Sequence, residues 1–179
     1  MWAVVKINQV TQVVHGGAGV LIEDVRHPPS IFRQWTPAQL LEIGVFPYEE
    51  ESRDQKFYKY RGERLDIRKD RVVKVWDLVT PLPIKDLRSR FSKETDTTAL
   101  SLLAGTDWYV TRKTETNKAI PKNIVDYREA VRTSWESILE LIKGSSNVAE
   151  LKALWVIPVN KKGEHTGNSP INDWPDNLE

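Results

Sequence analysis

The 179-residue chain has no cysteine, so it can form neither a disulfide nor a thiolate metal site. It therefore lacks the framework of a small secreted domain, and the absence fits a reducing compartment. Its three histidines, His15, His27 and His165, lie far apart, and none has another histidine one helical turn away, so no metal site is expected. It has no long apolar run: the longest is a few residues, against the roughly twenty needed to span a bilayer, and no basic region followed by an apolar stretch opens the chain. Neither a membrane span nor a processed leader is expected. Nor is there an excess of one charge. Twenty-six Lys and Arg stand against 25 Asp and Glu, interspersed, which argues against a nucleic-acid binder whose affinity comes from neutralising phosphates.

Signatures of reaction chemistry are missing too. The cluster His15-Gly16-Gly17-Ala18-Gly19 is followed by no Gly-Lys-Ser/Thr and no strong helix, so it reads as a flexible turn, not a phosphate cradle. There is no Gly-x-Ser-x-Gly elbow, and no segment singles out two of the many carboxylates as an acid–base pair. The expectation is a protein without a catalytic site, cofactor or metal.

Aromatic mass, in contrast, is plentiful. Seven tryptophans, at positions 2, 35, 76, 108, 135, 155 and 174, are many for this length, and each can bury a large area while its N–H seeks an acceptor. Folding a chain of this size removes roughly 70% of its surface from water, enough for a core without staples.

The first eighty residues read mainly as β. Trp2 to Ile7 and Val10 to Val14 form a hairpin around Asn8-Gln9, and Val20 to Val25 a further strand. Thr36, Pro37 and Gln39 supply a cap, a first-turn proline and the reciprocal partner of a capping box, for a short helix ending at Gly44. Glu49 to Asp54 reads as a charged link. Phe57 to Arg61, Leu65 to Lys69 and Val72 to Val79 read as a small antiparallel meander, with Gly62 and Asp70 near its turns.

From Pro83 the period becomes helical. Ile84, Leu87, Phe91, Thr98 and Leu102 predict a helix ending near Gly105, locally weakened by Thr95-Asp96-Thr97-Thr98. Ile124, Tyr127, Val131, Trp135, Ile138 and Ile142 draw one stripe down a second helix opened by Pro121 and stopped by Gly144. Two antiparallel helices follow, with the Trp108 segment packed in their connection, and Asn147 with Glu150 opens a last short helix through Trp155. The reading is therefore α+β: a small antiparallel β region over 1–82, a helical hairpin and short helix over 83–157, and an extended C-terminal arm over 158–179, too poor in apolar residues to fold alone.

Five residues are candidate partner contacts. Trp108 and Tyr109 can anchor a partner or stack on a sugar, or serve as a staple buried between helices. Arg128 and Arg132, one turn apart, can grip a partner's carboxylates, or lace a solvated face by ion pairs with Asp126, Glu129 and Glu136. Trp174, in a tail without its own core, can dock onto a partner or onto the chain's own body.

The ordered set Thr106-Asp107-Trp108-Tyr109-Val110-Thr111-Arg112-Lys113-Thr114-Glu115-Thr116, Ile120-Pro121, Tyr127-Arg128, Ala130-Val131-Arg132, the helix at Val148 to Leu154 and the closing Asp173-Trp174-Pro175 resembles the C-terminal region of small tail-fibre assembly or tail assembly chaperone-like proteins of tailed bacteriophages. The opening Met1-Trp2-Ala3-Val4-Val5-Lys6 and the Pro29-Ser30-Ile31-Phe32 segment are similar to related tail-region proteins of myophages, including those infecting cyanobacteria. The resemblance implies binding without turnover and leaves two roles open, of which a structural protein of the virion tail or baseplate, assembled in the host cytoplasm, is the expectation carried forward. Its partners would be tail, tail-fibre or baseplate proteins, with self-association open and neither nucleic acid nor membrane involved. It leaves a chaperone absent from the finished particle as the alternative. A carbohydrate-recognition module or glycan-processing enzyme is the rival from another class, suggested by the tryptophan count and a phage's need to meet host glycans.

Overall fold

The computed structural model describes residues 1–15, 17–176 and 178, so Gly16 of the glycine cluster and Asn177 and Glu179 of the arm lie outside the described residues. The chain is α+β and divides into two compact units, residues 1–80 and 81–179.

In the first unit, β1 (Trp2–Lys6) and β2 (Gln9–Val14) form the expected hairpin, with a register shift between Val4 and Val5. Its turn falls one residue earlier than expected, on Ile7 and Asn8, which both take left-handed φ values of 46° and 58°. Two successive left-handed residues make the turn whose twist matches a hairpin, and glycine or asparagine normally fills it. Ile7 is 99% exposed, so its side chain contributes no packing to offset the cost of placing a β-branched residue there. Ile7→Asn should therefore raise the unfolding free energy by about 1 kcal/mol, read as an upward shift of the urea midpoint; an unchanged or lower midpoint would show that the strain is not there.

The segment expected to be one strand from Val20 to Val25 is a second hairpin, β3 (Val20–Ile22) and β4 (Val25–His27), around Glu23 and Asp24, again both left-handed. After α1 (Ile31–Gln34), α2 (Pro37–Glu42) starts as expected: Thr36 Oγ1 accepts from the Gln39 N–H, and Gln39 Oε1 accepts from the Thr36 N–H at 2.9 Å. These helices and the β3–β4 hairpin bury Ile31, Leu40, Val20 and Ile22 with Val4, Val14 and Val45 of the sheet, while Trp2, Phe32, Trp35 and Ile43 close the margin.

The sheet has five strands in the order β2-β1-β5-β7-β6, and its centre corrects the sequence reading. β5 (Val45–Glu50) occupies part of the supposed charged link, and β7 (Val72–Pro81) pairs with it in parallel, Tyr48 opposite Val72. Charge did not prevent pairing, because the acidic end of β5 meets cations: Glu49 takes Arg71 at 3.1 Å. β6 (Tyr58–Ile67) is one strand where two were expected. Gly62 bends it without ending it: its φ is 61°, and a Cβ there would come within 2.5 Å of Asp77 Oδ2.

The second unit begins with α3 (Ile84–Ala104), whose threonine run does not break it. Thr97 and Thr98 hydroxyls donate back to the carbonyls of Lys93 and Glu94, which absorbs polar groups that would otherwise compete for the backbone. Its buried stripe is Leu87, Phe91, Thr95, Ala99 and Leu103, not the expected Thr98 and Leu102. The small Thr95 and Ala99 suit close approach, and α3 packs against the later long helix. The connection is itself a helix, α4 (Asp107–Thr116), followed by α5 (Lys122–Gly144). α5 buries Ile124, Arg128, Val131, Ile138 and Ile142, and Trp135 donates its indole N–H to Asp96 of α3 at 2.8 Å. α6 (Val148–Ala153) is capped by Asn147, which accepts from the Glu150 N–H.

Beyond α6 the arm is tied to the helices. The Ile171 N–H donates to the Leu154 carbonyl, and Ile171 is buried in a short 3-10 turn, Pro170–Asn172. Among the described residues no helix is long and apolar enough to cross a membrane.

Candidate partner-binding site

α4 is the one long helix of the second unit with no buried residue. Two devices make its ten residues helical without a core stripe. Thr111, Thr114 and Thr116 donate their hydroxyls to carbonyls four residues back, and Asn117 closes the helix in the left-handed conformation. Asp107 in the first turn and Lys113 in the last complement the helix dipole.

Its position is set by Arg128 of α5, which is only 8% exposed. Arg128 Nη1 donates to the Leu103 carbonyl at 3.1 Å, to Thr106 Oγ1 at 2.6 Å and to Asp107 Oδ1 at 2.8 Å. One guanidinium thus joins the last turn of α3, the link and the first turn of α4. Tyr127 assists, its hydroxyl donating to the Leu102 carbonyl. A buried cation is tolerable only where acceptors surround it, and these three supply that surrounding.

What the clamp presents is an aromatic and cationic face. Trp108 is 52% exposed, and its ring lies against Tyr109 with centroids 3.9 Å apart and planes tilted 32°. The Arg112 guanidinium sits 4.7 Å from the Trp108 ring centre and 5.1 Å from that of Tyr109. Val110 is exposed beside them. Trp108 is the one exposed tryptophan of the seven; the other six are half-buried.

The five candidate contacts therefore part company. Trp108 and Tyr109 are together and reachable, so the reading of a staple buried between helices does not hold for Trp108. Arg128 is not on a solvated face: it is 8% exposed, and its Nη1 is taken up by α3, the link and α4. Arg132 is exposed and forms no ion pair with the described residues, while Asp126 pairs with Lys122 at 2.7 Å instead, so neither the two-arginine grip nor the expected ion-pair lacing forms. Trp174 is half-buried on its own unit, lining a hollow of about 190 Å³ with Phe91, Thr95, Trp155 and Ile171. Sequence reasoning passed over Arg112, although its spacing of four from Trp108 and three from Tyr109 puts all three on one helical face once a helix is assigned. Asp107, Lys113 and Asn117 are the end signals that could have assigned it.

Elsewhere the polar chemistry is ordinary. A second aromatic cluster lies in the first unit, where Tyr60 meets Trp76 edge-on and Arg53 lies 4.8 Å from the Trp76 ring centre. Burial, reinforced by Glu50, pushes the Tyr48 hydroxyl above the usual phenol range. The Arg71 guanidinium, hydrogen-bonded to Asp70, holds that carboxyl below the usual range. A hollow of about 470 Å³ between α5 and the arm is lined by polar residues such as Thr133, Ser134 and Asn168 together with Ile138, Leu141 and Pro158, and Asp173 is its one acid. Among the described residues no group of three or more histidines or carboxylates could hold a metal ion.

No protein-family model matches the chain, and neither a curated protein nor a solved structure matches it.

Proposed function

We propose that this chain is a tail- or baseplate-associated structural protein of a tailed bacteriophage, acting by protein contact and performing no turnover, with α4 as its docking helix. The observation that supports the reading is the α4 face itself. A ten-residue helix contributes nothing to the core, yet a buried arginine pins it with its only exposed tryptophan outward. Exposed aromatic residues held rigidly, with an arginine beside them, have the composition of binding hot spots. The resemblance carried by Thr106 to Thr116, Tyr127-Arg128 and the Trp174 segment supplies the biological setting.

A saccharide platform draws less support from the same geometry. Trp108 packs against Tyr109 and Arg112, and the carboxylate next to it, Asp107, is engaged by Arg128. The test is quantitative mass spectrometry of purified particles of the phage encoding the chain. The expected result is presence at a fixed copy number per particle. Absence from particles, with co-purification on an unassembled fibre, would replace the structural role by the chaperone role; absence from both would overturn the reading.

A further inference from the structure

We propose that the α4 face receives a carboxylate-bearing segment of a partner protein, with the Arg112 guanidinium taking the carboxylate and the Trp108–Tyr109 pair forming the apolar bed beside it. The inference rests on the docking role given to this helix above and adds the chemistry of its partner.

Three observations carry it. First, Arg112 is half-buried with its guanidinium against two rings, and its Nε, shielded from water there, has no hydrogen-bond partner. No acceptor for this guanidinium comes from the described residues, so its Nη groups remain to donate to a partner's carboxylate while Nε stays against the rings. Second, the charges around α4 do not balance. Arg112, Lys113 and Lys118 form no ion pair with the described residues, whereas Asp107 is taken by Arg128 and Asp126 by Lys122, leaving Glu115 as the one unpaired acid of residues 107–126. The complementary surface is acidic. Third, the guanidinium is oriented in advance by the rings, and a planar fork held beside apolar surface favours two-point recognition of a carboxylate over a loose point contact. Three free cations interrupted by Glu115 are too few for a phosphate backbone, which needs a row of neutralising contacts.

The experiment is an NMR titration of the full-length ¹⁵N-labelled protein with an acetylated hexapeptide of alternating leucine and glutamate. Its glutamine counterpart, an oligothymidylate and a sialylated trisaccharide serve as the comparison ligands. The glutamate peptide should move the Arg112 Nε–H and Trp108 indole resonances, and the glutamine peptide should bind at least about tenfold more weakly, as expected for loss of a charge-assisted hydrogen bond. Arg112→Met, which keeps the apolar contact with the rings, should lose binding about as much; Arg112→Lys should fall between, keeping the charge without the fork. Equal binding of the two peptides, undiminished binding by Arg112→Met, the absence of any shift at millimolar peptide, or α4 shifts with the nucleotide or the sugar alone would each overturn the proposal. Should particle analysis identify a partner that Trp108→Ala releases and Arg112→Met does not, the docking role stands and the acidic partner falls. Should the glutamate peptide bind at Arg112 while the chain occurs on no particle or fibre, the acidic recognition stands and the phage assignment falls.

Discussion

Arg128→Met should cost the helical unit about 3 kcal/mol of stability, the largest effect expected from any polar side chain in the protein. Met occupies a similar length and keeps the apolar stem in place, so the loss isolates the guanidinium. Its three hydrogen bonds end on acceptors of different kinds: a helix-end carbonyl, a buried hydroxyl and a carboxylate. Hydrogen bonds from a charged donor contribute about 1.5–3 kcal/mol each when removed singly, and acceptors left buried add to the loss because water cannot replace the arginine. The Asp107 contribution is the small one. Its side chain is 62% exposed, so the pair is screened, and Asp107→Ala should cost less than about 1 kcal/mol. The difference between the two substitutions, measured by urea unfolding, decides whether the guanidinium acts as a splint across the backbone or as half of a surface ion pair. Equal losses would favour the ion pair and remove the reason for α4 to be held where it is. Trp108→Ala, with its ring half in water and no core contact to lose, should fall within about 0.5 kcal/mol of the native protein.

The same residue shows where sequence reading stops. On the sequence Arg128 has Asp126, Glu129 and Arg132 as neighbours, and local spacing suggests pairs among them. The acceptors that govern it are a backbone carbonyl twenty-five positions away and a threonine hydroxyl twenty-two away, which no local pattern reports. Most features governed by residues four apart or fewer were legible, among them the Thr36–Gln39 capping box, the Asn147 cap and, to within one residue, the β1–β2 turn, whereas the equally local β3–β4 turn at Glu23 and Asp24 was hidden because neither residue is a glycine or asparagine. Features decided by tertiary pairing were not. β5 was hidden because Glu49 and Glu50 look like a solvated link until Arg71 is brought alongside, and the parallel pairing with β7 has no signature within either strand. α4 was hidden because the threonines that lower helix propensity on average also satisfy their own hydroxyls on its carbonyls, and because a helix that buries nothing has no apolar period to detect. Of the candidate site, Trp108 and Tyr109 were legible as aromatic mass; their exposure and the arginine beside them were not.

The second large effect belongs to the core. Phe91→Ala should destabilise the helical unit by about 4 kcal/mol, moving the urea midpoint down by roughly 2 M if unfolding follows a slope of about 2 kcal/mol per molar urea. Phe91 is 1% exposed at the centre of the α3 stripe, and its ring lies 4.6 Å from that of Trp155, tilted by 57°. Its removal loses a large transfer term and leaves a cavity that Leu87 and Thr95, fixed one turn away on the same helix, cannot fill. The ring pair adds a further share, on the order of 1 kcal/mol, which should appear as loss of the near-ultraviolet signal of Trp155. Leu100, on the same helix but 60% exposed, is the control: Leu100→Ala should stay within about 0.5 kcal/mol. The stripe that Phe91 anchors ends at Leu103, whose carbonyl receives Arg128, so the core and the clamp that holds α4 share one helix. If that continuity holds, hydrogen exchange in Phe91→Ala should speed up at amides of α3 and α5 and then at Tyr109 to Val110 of α4, whereas Leu100→Ala should leave all three as they were. Faster exchange confined to the Phe91 turn, with α4 untouched, would show that the clamp holds α4 without help from the core beneath it.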